Sequence, residues 1–156
     1  MTWQIIFTAV FLQASPAALD QFRGHPFGTP KEQILGAEKD KLCQEVTPER
    51  KGTTQVLCFT MLYYKQTPFT MIFKLEAGNP LIEGWYEYPL WLGEDTFKEG
   101  SRGGQILTTL IGKYGEPTSQ GAERFLWTSE VGILRMELKR LEKSNHLEIR
   151  YQPTNR

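Results

Sequence analysis

The stretch QVLCFTMLYYKQTPFTMIFKLEAGNPLIEGWYEY, residues 55–88, decides the fold. It contains three runs rich in aromatic and aliphatic residues, at 55–65, 69–76 and 81–88. In the middle run Met71, Phe73 and Leu75 take alternate positions, the period of a strand with one covered face. The segment 77–80, AGNP, reads as a turn. Connections this short favour antiparallel neighbours, because a parallel crossover needs a dozen or more residues.

Working towards the amino terminus, FGTPKEQILGAEKDK (27–41) reads as a helix of about three turns. Thr29 is the expected N-cap, Pro30 suits the first helical position, and Glu32 completes a capping box with Thr29. Gly36 limits its length. Towards the carboxyl terminus a loop, 89–104, leads into a clearer helix in SRGGQILTTLIGKYGEP (101–117). Ile106, Leu107, Leu110, Ile111 and Tyr114 recur at helical spacing, Ser101 is the N-cap, and Gly115 and Pro117 stop the helix. Three more alternating runs follow: ERFLWTS (123–129), GILRMELKR (132–140) and HLEIRYQ (146–152).

The expected fold is therefore α+β: an antiparallel sheet of about six strands with two helices on one face. It is built from two helix–three-strand units, at about 24–90 and 100–152, within a single domain 18–156.

All 18 basic and 18 acidic residues lie beyond position 19. The opening segment is instead an apolar run of about ten residues, Trp3 to Leu12, too short to span a membrane. It ends in small residues, with Ser15 and Ala17 at the −3 and −1 positions of a cut before Ala18. Residues 1–17 are expected to be a secretory signal peptide; the alternative is a retained first element in a cytoplasmic protein. Export makes Cys43 and Cys58 a disulfide pair, which for a loop of this length is worth about 3 kcal/mol. No transmembrane segment is expected in the mature chain.

The formal net charge is zero, which argues against a nucleic-acid partner. There is no phosphate-binding loop, dinucleotide fingerprint, paired-histidine metal motif or nucleophile elbow. No catalytic residue, metal site or cofactor is expected. His25 and His146 have no sequence neighbour that would complete a metal or nucleophile site. The most informative remaining stretch is EGWYEYPLWLG (83–93). Adjacent strand residues point to opposite faces, so Trp85 and Tyr86 cannot both be core. Trp85, Tyr86, Tyr88, Trp91 and Leu92 are the expected ligand or partner surface.

The motifs GTPKEQIL, KYGEP and LEIRY, with Trp127 and Ile133, resemble a pattern of small exported bacterial proteins. The helix-then-meander unit is similar to the SmpA/OmlA outer-membrane assembly lipoproteins, and its doubling resembles the secreted β-lactamase inhibitor proteins. The chain lacks the lipid-accepting cysteine of the former. The resemblance implies a periplasmic or secreted protein that acts by binding another envelope or secreted protein, without catalysis. The alternative is a small ligand-binding protein or hydrolase with a loop-assembled pocket between helices and sheet.

Overall fold

A computed structural model describes residues 18–46, 52–64, 67–76, 80–90 and 95–154. The expected leader, 1–17, and the expected surface residues Trp91 and Leu92 lie outside the described residues. The architecture is α+β, with a mainly antiparallel sheet and two helices.

A short hairpin, β1 (Gln21–Phe22) and β2 (His25–Pro26), comes first. Helix α1 (Lys31–Ala37) leads into the strands β3 (Leu42–Val46), β4 (Thr53–Tyr64), β5 (Thr67–Glu76) and β6 (Leu81–Leu90). Helix α2 (Arg102–Tyr114) leads into β7 (Ser119–Gln120), β8 (Arg124–Thr128), β9 (Gly132–Arg140) and β10 (Asn145–Pro153). The last eight strands form one sheet in the order β3-β4-β5-β6-β10-β9-β8-β7. Each helix thus precedes a four-strand meander, and the two meanders join through their last strands, β6 against β10.

The expected six strands are corrected to eight, and each three-strand unit to four. The two added strands are the sheet's edges. β3 buries none of its residues and β7 is two residues long, so neither carries the apolar alternation that marks a half-buried strand.

The first helix also departs from expectation. Thr29 does not cap it: Gly28 N–H donates to Leu81 O and Leu81 N–H to Thr29 O, which ties this backbone to the start of β6. The Thr29 hydroxyl turns back to donate to Pro26 O at 2.6 Å, and Pro30 becomes the cap residue. The helix has seven residues, two turns rather than three. In α2 the expectations for the N-cap hold. Ser101 Oγ accepts from Gly104 N–H at 3.1 Å and donates to Thr96 O at 2.8 Å.

Register explains where the core sits. One row across the sheet runs Cys43, Cys58, Met71, Tyr86, Ile149, Met136, Phe125. The next runs Val56, Phe73, Gly84, Tyr151, Leu134, Trp127. Ile34 of α1, Ile106 and Leu110 of α2, and Leu19 and Phe22 pack into the same apolar cluster as these rows. Phe22 is fully buried and fills the notch left by Gly84, where a Cβ would come within 2.1 Å of its ring. Its ring also meets Phe73 edge-on, with centroids 5.1 Å apart, and leans on Tyr86 at 4.8 Å.

Cys43 and Cys58 are bonded to each other. They face one another across β3 and β4, so the bridge pins the edge strand to its neighbour.

Candidate functional site: the open face of the sheet

Moving every row by one residue turns the side chains to the other face. That face carries Leu57, Ile72, Trp85, Arg150, Arg135 and Leu126 in one row. The next row is Thr70, Glu87, Glu148, Glu137, Arg124. Among the described residues, neither helix buries a side chain against these rows.

Trp85 is the centre of this face. Arg150, directly opposite on β10, stacks its guanidinium 3.9 Å from the Trp85 ring centroid. The indole N–H donates to Glu87 Oε1 at 2.9 Å. Under these two charged residues Trp85 is only 5% exposed. Arg150 is itself clamped: Nε and Nη2 donate to the two Glu148 oxygens at 2.9 and 3.0 Å, and Nη1 donates to Glu83 at 2.5 Å. Lys74 joins Glu83 at 3.2 Å, and Lys139 joins Glu137 at 2.7 Å.

The charges form stripes. Glu87, Glu148 and Glu137 stand abreast on three adjacent strands, and Arg150 and Arg135 stand abreast beside them. Like charges directly opposite one another are destabilising. The arrangement persists because each stripe is neutralised diagonally by the other. Arg135 lies 3.4 Å from Glu137 and 3.6 Å from Glu148. Burial alone would push the Glu148 carboxyl up, but the Arg150 guanidinium outweighs it and holds the group below its ordinary value. Burial likewise opposes the charge on Arg150, and the Glu148 and Glu83 carboxylates overcome it and raise its pKa.

A groove of about 240 Å³ lies at one end of the acidic stripe, lined by Glu87, Lys139, Leu141, His146 and Glu148. Ser144 Oγ is 3.0 Å from His146 Nε2 there, at the β9–β10 turn. That distance suits a nucleophile–base pair. Among the described residues, however, the imidazole makes no hydrogen bond to a carboxylate that would orient it as a base. His146 lies on β10, a central strand of the sheet.

The expected aromatic surface divides between the faces. Trp85 belongs to the open face, under Arg150. Tyr86 and Tyr88 belong to the helix-side core, where Tyr88 is 6% exposed and stacks near Phe69 with centroids 5.0 Å apart. His25 is likewise buried on the helix side, with its ring edge to Phe73 and Nε2 3.5 Å from Glu38 Oε1. Sequence reasoning did not single out Arg150, Glu148, Glu87 or Glu137. Their signal was present as the polar half of each alternation; only the register set like charges abreast.

Among the described residues no helix is long and apolar enough to cross a membrane. Compared with protein-family models, with curated proteins and with solved structures, the chain matches none.

Proposed function

We propose that this chain is an exported, non-catalytic binding protein that docks an envelope or secreted protein on the open face of its sheet. The observation that carries the reading is the pair of charge stripes. Three carboxylates abreast beside two guanidiniums abreast do not serve stability as well as strict alternation would. Local rules are broken where function requires it. The stripes are also fixed in place: Arg150 is held by Trp85, Glu148 and Glu83 at once, so little side-chain ordering remains to oppose association. A partner with a basic ridge bordered by acidic groups fits this pattern, which favours specificity and fast encounter. The Cys43–Cys58 bridge agrees with an oxidising compartment beyond the inner membrane.

The test is co-purification from the native host envelope of wild type against the Glu87→Lys, Glu137→Lys pair. The reading predicts that a specific co-purifying protein is lost while the far-ultraviolet circular dichroism is unchanged. Retention of every partner by the variant would remove this face from consideration.

A further inference from the structure

The helix side of the sheet holds a second polar feature, independent of the docking face. A small cavity of about 70 Å³ sits where the β1–β2 turn, the end of α2 and the sheet meet. Arg23, Lys113, Tyr86, Tyr114 and Tyr151 line it, together with Ala18, Gln21 and Gly24.

We propose that this cavity binds a small carboxylate, with Lys113 and Arg23 supplying positive charge and the three tyrosines supplying hydroxyl donors. Four observations support it. First, Arg23 has φ of 51° and Gly24 has φ of 79°, the signature of a two-residue hairpin turn with both centres left-handed. A non-glycine residue there costs roughly 1 kcal/mol, and asparagine or glycine would be the unstrained choice. The strained backbone places the Arg23 guanidinium at the cavity.

Second, the cavity carries cationic side chains, Arg23 and Lys113. Arg23 Nε meets Glu38 Oε1 at 2.7 Å, and Lys41 meets Glu38 at 2.9 Å and Asp40 at 3.0 Å. Glu38 and Asp40 thus match Arg23 and Lys41, while Lys113 lines the cavity with its Nζ 5.1 Å from the Tyr114 ring centroid.

Third, Tyr151 is only 6% exposed, and among the described residues the hydrogen bond at its hydroxyl is a long one that it accepts from Tyr114 at 3.5 Å. A buried donor so weakly matched wants an acceptor. Fourth, burial pushes the phenols of Tyr86 and Tyr151 up, so both stay protonated donors at any physiological pH.

The experiment is titration of the disulfide-bonded protein beginning at Ala18 with acetate, N-acetylglycine and acetamide, followed by amide chemical shifts around Gly24 and Tyr151. Saturable binding of a carboxylate in the millimolar range, with none of acetamide, is expected. Acetate binding identifies a free small acid as the ligand class; binding of N-acetylglycine alone identifies a peptide carboxyl terminus. Lys113 is exposed, so Lys113→Gln should fold normally and weaken binding about tenfold. Tyr151→Phe should weaken it by less. Absence of saturation by either carboxylate, equal binding of acetamide, or unchanged affinity in Lys113→Gln would overturn the proposal. None of these outcomes depends on the docking face.

Discussion

The two faces of the sheet are one residue apart in every strand and are held by opposite physics. On the helix side Met71, Tyr86, Ile149 and Met136 stand abreast under α1, α2 and the β1–β2 hairpin. On the open side, Ile72, Trp85, Arg150 and Arg135 stand abreast with charged neighbours in place of helices. Apolar burial on the first face is strong and intolerant of gaps. On the second face the peripheral ion pairs, such as Lys139 with Glu137, are individually weak, while the Glu83–Arg150–Glu148 cluster is largely buried. The fold therefore rests chiefly on the helix-side face.

That contrast can be broken by substitution. Phe22→Ala should be the most damaging change, because the ring is wholly buried between Phe73, Tyr86 and Tyr151; a loss of about 3–5 kcal/mol is expected in denaturant unfolding. The Cys43→Ala, Cys58→Ala pair removes the link between β3 and β4 and should cost about 3 kcal/mol in the same measurement. Ser101→Ala frees the first turn of α2 and should cost about 1 kcal/mol. Glu137→Gln, on the open face, should change stability by no more than about 0.5 kcal/mol, and relief from Glu148 could make the change favourable. A large loss in Glu137→Gln, or a small one in Phe22→Ala, would erase the distinction between the faces.

Acid sharpens it. Glu38 on the helix side and Glu148 on the open side are both held below the ordinary carboxyl value of 4.5, because Lys41 and Arg23 in one case and Arg150 in the other outweigh the opposing effect of burial. A depressed folded pKa contributes stability above the unfolded value and loses it as pH falls through the folded one. Unfolding free energy should thus decline below about pH 4.5, and Glu148→Gln should flatten that decline in a pH series of urea unfolding.

Much of this was legible in the residues. The alternation in 69–76, 132–140 and 146–152 locates β5, β9 and β10, and the Ser101 cap locates α2. The opposition of Trp85 and Tyr86 follows from the two-residue period alone. What was not legible has specific causes. The hairpin that delivers Phe22 has two-residue strands and an Arg-Gly turn, too short for any period and atypical for its turn type. The edge strand β3 has exposed Leu42 and Val46 and no buried face. The charge stripes depend on register between β6, β10 and β9, and a single alternating strand does not reveal which residues stand opposite.

The proposed function requires a protein outside the inner membrane, where its open sheet face can meet another exported protein. The most direct measurement is the intact, non-reduced mass of protein isolated from the native host. The account predicts a chain beginning at Ala18 that is two hydrogens lighter than its reduced form. A chain that keeps Met1 and titrates with two free thiols would contradict it.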